Sequence, residues 1–358
     1  MASTIALRPC GDFKTSYGSD QIVFPTRLSL AFCIFGIVAL CFAPLVLGKY
    51  GLSLLVQIGY LGIAALGLNI LVGFTGQISI GHAVFFGFGA FASAYFSNKL
   101  NVPVFFAIPL AGLATTAVGL VFGIPAARLK GLYLAIATLA AQFILQDFFA
   151  RAGWFTGGVA GTAAKSFSIF GHDVAGDYQY FYVVLVYVVL MYLAATNLMR
   201  TRDGRSLVAV RDHYLSAEMM GINLMKYRTM SFGLAAFYAG IGGALYAHYL
   251  GFVSVEGFDI LFSIQFLAMI IIGGLGSIMG TLMGTTFMVL LPEVMGGLAK
   301  MLSGSAIDRM LSLSEGIVFL REMTIGAVIV LFLVFEPDGL AHRWRQIRAY
   351  WKLYPFSH

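Results

Sequence analysis

The stretch Gly73-Phe74-Thr75-Gly76-Gln77-Ile78-Ser79-Ile80-Gly81-His82 collects small, polar and ionisable residues inside apolar surroundings. It interrupts forty-nine residues, between Lys49 and Lys99, that hold no Asp, Glu, Lys or Arg. Thr75, Gln77 and Ser79 have two roles open to them. They can satisfy backbone groups freed by the glycines, or line a path for a zwitterion. His82 is the one ionisable group well inside a predicted helix, where a packing role and a functional role both fit. Ser79 and His82 read as i and i+3 on one helical face, which raises hydrolysis, but neither Gly-x-Ser-x-Gly nor His-Glu-x-x-His accompanies them. A second glycine-rich break runs Gly273-Gly274-Leu275-Gly276-Ser277-Ile278-Met279-Gly280. Gly73, Gly76 and Ile78 recur in it as Gly273, Gly276 and Ile278, either as an internal repeat or by coincidence in a glycine-rich chain. Gly73, Thr75, Gly76, Gln77, Ser79 and His82, with Gly273, Gly274, Gly276 and Ser277, are the candidate path residues.

A charged stretch carries the second candidate chemistry. Between Gly204 and Asn223, Leu207, Val210, Tyr214, Leu215 and Met219 follow helical spacing, and Gly221 suits the position after a helix end. The spacing predicts one short amphipathic helix over 207–221. Its apolar stripe can dock on a soluble partner; the other reading is a solvated loop.

The elements that must position these residues are membrane spans. One helical span needs about 20 apolar residues, and ten hydrophobic segments are read at 28–48, 52–72, 78–97, 103–124, 131–149, 181–199, 231–253, 261–275, 277–296 and 323–337. Only 11% of residues are charged, against about 25% in a soluble domain, and mean hydropathy is +0.88. The expected fold is all-α, a polytopic transmembrane bundle of about ten spans. Residues 1–27 form an N-terminal segment without the pattern of a removable signal peptide, 28–340 the transmembrane domain with a charged loop at 200–230, and 341–358 a basic tail. With the N-terminus inside, 15 Lys and Arg fall on the cytoplasmic side and 7 outside, so both termini are expected in the cytoplasm. This placement between spans also argues against nucleic-acid binding for the net charge of +6. Cys10, Cys33 and Cys41 suggest neither a disulfide framework nor a metal site. The stripe Phe85, Phe86, Phe88 and Phe91 reads as lipid-facing or packing. Trp154, Thr156, Gly157 and Gly158 either cap the fifth segment or shape an outer docking surface. Gly89 is placed on a packed helix away from the break, and leucine-sized bulk at Gly76 is expected to block transport more severely than the same bulk at Gly89.

The charged loop resembles the cytoplasmic coupling segment of bacterial ABC import permeases, with Ser216-Ala217-Glu218-Met219-Met220-Gly221 where that signature has two alanines after the glutamate. Over residues 45–340 the chain is similar to the LivM-type permeases of branched-chain amino-acid importers. The stretches 67–82, Gly131-Leu132-Tyr133-Leu134-Ala135-Ile136-Ala137-Thr138-Leu139, Trp154-Phe155-Thr156-Gly157-Gly158 and Gly273-Gly274-Leu275-Gly276-Ser277 carry the likeness. Glu336 departs from it, since relatives carry a basic residue there. The resemblance implies a transport subunit of the bacterial inner membrane, not an enzyme. It implies no cofactor of its own and coupling to ATP hydrolysis through Arg211, Glu218 and Gly221. The partners implied are a second, LivH-like permease, two cytoplasmic ATPases that use the ATP, a periplasmic solute-binding protein and membrane lipid. The solute is left open: relatives of this type also carry urea or aromatic acids. No Gly-x4-Gly-Lys-[Ser/Thr] occurs in the chain. An ion-coupled carrier is the alternative, but Asp147, Glu293 and Glu322 lie near predicted span ends and no Lys or Arg lies mid-span.

Overall fold

The computed structural model describes residues 27–169, 172–173, 176–302, 317–336 and 338–353. Nearly all of the N-terminal segment expected at 1–27 lies outside them. All ten apolar segments fall on helices: α1 (Arg27–Val46), α2 (Lys49–Thr75), α3 (His82–Asn98), α4 (Val104–Ala126), α5 (Leu132–Arg151), α6 (Asp177–Arg200), α9 (Leu224–Leu250), α10 (Ile260–Gly273), α11 (Ile278–Leu302) and α12 (Ile317–Phe335). The charged loop forms α7 (Arg202–Asp212) and α8 (Tyr214–Met219), and the tail forms α13 (Gly339–Leu353). A helix satisfies its own backbone, which is why apolar runs of this length take no other form in lipid. The expectation was about ten spans. Among the described residues seven helices are long and apolar enough to cross a membrane, or eight if the bent pair Met323–Phe335 and Gly339–Tyr350 is one span. The expected domain limit at 340/341 falls inside α13.

α2 and α9 form the centre. Their apolar windows are 83% and 78% buried, against 22% for α6. Small residues allow this. A Cβ on Gly89 of α3 would lie 2.4 Å from the Gly240 backbone of α9, and one on Gly243 only 1.9 Å from the Phe86 carbonyl. The two backbones touch, so Gly89 lies on a packed helix as expected and is also a helix crossing point, where added bulk meets backbone. Close approach of this kind, with van der Waals packing, holds helices together where lipid supplies no hydrophobic drive. The phenylalanine stripe packs inward: Phe85, Phe86 and Phe91 are buried, and Phe86 sits 5.4 to 5.6 Å from the rings of Tyr246, Phe262 and Phe266.

At one end, Thr162–Ala163 pairs antiparallel with Phe252–Val253. Here Thr156 closes α5: its hydroxyl donates to the Phe149 carbonyl at 2.6 Å and accepts from Gly158 N–H at 3.1 Å. The capping role is therefore filled, while Trp154 beside it is exposed. The opposite end holds both glycine-rich breaks with α7 and α8.

Candidate functional site at the glycine-rich breaks

α2 continues through Gly73 and ends at Thr75, so the first break begins later than the glycines suggest. The turning point is Gly76, whose φ of +71° favours glycine. Gly76 and Gln77 N–H fold back onto the Val72 and Leu71 carbonyls at 3.1 and 3.2 Å. The chain then runs without helix to Gly81, and α3 starts at His82. Ser79 therefore precedes the helix and does not share a helical face with His82.

Gly76 and Ile78 face outward from the break and are exposed, while its polar side chains turn inward. Thr75, Gln77, Ser79 and His82 are all buried. Thr75 donates to the Ile70 carbonyl at 3.0 Å. Gln77 Nε2 donates to Ser231 Oγ at 2.6 Å on α9. His82 Nε2 donates to the Ala64 carbonyl at 2.9 Å and stands edge-on to Phe266, which is the packing role. Gln77 Oε1 and Ser79 Oγ are buried without a partner among the described residues.

The second break links α10 to α11 through Gly274 and Gly276, with φ of +112° and +72°. Ser277 Oγ accepts from Gly280 N–H at 3.1 Å and so caps α11. Asn69, a fully buried amide one turn before Gly73, joins the two breaks. Its Oδ1 accepts from Gly276 N–H at 2.9 Å, and its Nδ2 donates to the Ser277 carbonyl at 2.9 Å and to Thr281 Oγ1 at 2.6 Å. A Cβ on Gly73 would fall 1.9 Å from Asn69 Oδ1 and 2.3 Å from Gly276 N, which explains the glycine there. Asn69 was quoted in the sequence only as part of a motif. Its signal in the sequence is an amide in an apolar helix, which needs partners, but Gln57 in the same helix carries that signal too.

Arg211 closes the set from outside. Its Nη1 donates to the Gly73 carbonyl at 2.7 Å, and its Nε to Asp212 at 2.8 Å. Gly73 lies in the last turn of α2, where carbonyls lack helical partners and the helix dipole favours a cation. A Cβ on Gly276 would stand 2.9 Å from Arg211 Nη1. Thus Arg211, Gly73, Gly76 and Gly276, separate in sequence, form one constellation.

The helix expected over 207–221 is two helices. His213, at φ −153° and ψ 81°, breaks it. Leu207 and Val210 turn into the bundle, while Leu215, Met219 and Met220 are 59%, 89% and 86% exposed. Unbroken helical spacing would keep both sets on one stripe; the kink separates them. Glu218 is exposed among the second set, and Gly221 follows α8 with φ +85°. Glu336, the departure from the resemblance, pairs with Arg343 of α13.

A bundle of this kind, with at least seven helices of span length and its helices drawn together by small residues, defines a multi-pass membrane protein. The family described as branched-chain amino acid transport system / permease component matches residues 50–333, and the chain belongs to it. It is 28% identical over 314 residues to the high-affinity branched-chain amino acid transport system permease protein LivM of Salmonella typhimurium, and 29% identical to that of Escherichia coli. Each alignment covers 81% of this chain and 66% of the relative, so the chain spans about two thirds of their length. A probable LivM protein of Methanocaldococcus jannaschii is 28% identical over 238 residues, covering 65% of this chain and 67% of that one. No solved structure matches.

Proposed function

We propose that this chain is one permease subunit of an ATP-driven importer in the bacterial inner membrane, forming half of the path for branched-chain or other small amino acids. In this reading the helices make ten spans with both termini in the cytoplasm. A second, LivH-like permease supplies the other half, a periplasmic binding protein delivers solute, and two cytoplasmic ATPases bind and hydrolyse the ATP. The observation that carries it is Arg211, which reaches from the charged loop to the Gly73 carbonyl beside Gly276. Leu215, Glu218, Met219 and Met220 offer the ATPase an exposed, largely apolar face. Displacing α7 and α8 would pull on both breaks at once. The candidate path at Thr75, Gln77 and Ser79 is closed in this arrangement. When it opens, Gln77 Oε1 and Ser79 Oγ would gain partners, water or solute. Among the described residues the buried polar side chains are Asn, Thr, Gln, Ser and His, with no carboxylate or Lys/Arg pair to carry an ion.

The test uses proteoliposomes holding the full transporter, with ATP inside and an uncoupler present. Uptake is expected to continue; collapse of uptake at constant ATP would overturn the assignment. Single cysteines at Thr75, Gln77 and Ser79, with Cys10, Cys33 and Cys41 replaced, test the path. A small hydrophilic thiol reagent is expected to label them in one nucleotide state only. Silence of all three in every state would place the path elsewhere.

A further inference from the structure

A cavity of about 150 Å³ lies between α3, α4, α5 and α9, walled by Phe85, Phe122, Ala137 and Phe232. Pro125 and Leu129, also on its wall, are exposed, so it reaches the molecular surface. Thr138 brings a hydroxyl to the lining, and that hydroxyl is occupied: it donates to the Ala135 carbonyl at 2.9 Å and accepts from Ile80 N–H at 3.0 Å. A held water needs two to four polar partners, and this lining, with its single hydroxyl already satisfied, offers none free. The walls therefore suit a hydrocarbon occupant.

The rim is of opposite character. Arg128 and Lys130 flank Leu129 of the wall on either side in sequence. Arg228 stands one turn before Phe232 on the same face of α9, and its Nη1 donates to the Ala127 carbonyl at 3.3 Å. None of these three cations makes an ion pair among the described residues. Two of them share a weak aromatic partner instead: Lys130 Nζ lies 4.1 Å and Arg228 Cζ 5.8 Å from the centre of the Tyr214 ring. Tyr214 is the first residue of α8, the helix that exposes Leu215 and Met219. Unpaired cations over a dry slot call for one amphiphilic molecule with an anionic head.

We propose that this is a binding site for an anionic phospholipid, with a short segment of one acyl chain in the cavity and the phosphate between Arg128, Lys130 and Arg228. The site lies at the same end of the bundle as both breaks, because Thr138 bonds Ile80 within the first one. The headgroup competes with Tyr214 for Lys130 and Arg228, so lipid occupancy bears on the position of α8. Binding itself does not depend on the transport reading, which decides only that the leaflet is the cytoplasmic one.

The purified chain is exposed in mixed micelles to phosphatidylglycerol, to phosphatidylcholine with the same acyl chains, and to glycerol 3-phosphate, and retention is measured by native mass spectrometry. Phosphatidylglycerol is expected to be retained above both others. Lys130→Gln with Arg228→Gln is expected to lower its retention roughly fivefold for each cation removed, while Arg345→Gln with Arg348→Gln on α13 leaves it unchanged. Ala137→Phe, which fills the slot and spares the cations, is expected to lower retention as well. A diazirine on the acyl chain is expected to crosslink to α4 or α5. Equal retention of the two lipids, glycerol 3-phosphate binding as tightly as phosphatidylglycerol, no effect of either the charge or the cavity variants, or crosslinks confined to other helices would overturn the proposal.

Discussion

Replacing Arg211 with Ala is expected to separate ATP hydrolysis from uptake. The substitution removes a charged donor 2.7 Å from the Gly73 carbonyl, worth about 1.5–3 kcal/mol. It also removes a cation from the last turn of α2, worth about 0.3–1 kcal/mol. The ion pair to Asp212 adds little, since the two side chains are 36% and 58% exposed and water screens them. The lost linkage is therefore about 2 kcal/mol. If it couples α7 to the breaks, uptake per ATP hydrolysed should fall on the order of 30-fold. Arg211→Lys keeps the charge, but one ammonium replaces the fork that reaches Gly73 and Asp212 together, so an intermediate loss is expected. The assay measures uptake and phosphate release in the same proteoliposomes, beside a thermal unfolding curve. A lowered melting temperature with an unchanged ratio of uptake to hydrolysis would show that Arg211 only holds the fold together, and the coupling argument would fail.

Asn69→Ala should cost about 2–3 kcal/mol, because it strips the Gly276 N–H of its acceptor inside the bundle; thermal unfolding equal to wild type would contradict this. Gly89→Leu should prevent assembly, since even a Cβ meets the Gly240 backbone at 2.4 Å. Gly76→Ala should cost only about 1–2 kcal/mol for its left-handed backbone. Size-exclusion profiles of the two variants rank them, and a monodisperse Gly89→Leu protein would refute the crossing. Glu218→Lys, and Met219→Ser with Met220→Ser, alter an exposed surface and should leave stability within about 0.5 kcal/mol while weakening co-purification of the ATPase subunits. Undiminished co-purification would move the docking face off α8.

The membrane class, the helical fold and the order of the helices were legible in the residues alone, because an apolar run of span length has no stable form in lipid except a helix. The family was legible too, through its glycine-rich motifs. The residues marked the stretches 73–81 and 273–280 as breaks, since small and polar residues interrupt long apolar runs there, and the structure narrowed the turning points to Gly76, Gly274 and Gly276. Tertiary structure decided the rest. That residue 73 must be a glycine depends on the bond between Asn69, one turn earlier, and Gly276, 207 residues from Asn69, which leaves no room for a Cβ. That Arg211 belongs to the same site depends on a contact spanning 138 residues. The kink at His213 depends on which half of the 207–221 stripe finds the bundle. That Gly89 meets another backbone was hidden for a reason that holds along the whole chain: lipid and a neighbouring helix are equally apolar, so hydrophobicity does not say which face meets which. Phe86 is fully buried and Phe105 is 52% exposed, yet the two look alike in the sequence; only the crossing of α3 over α9 tells them apart.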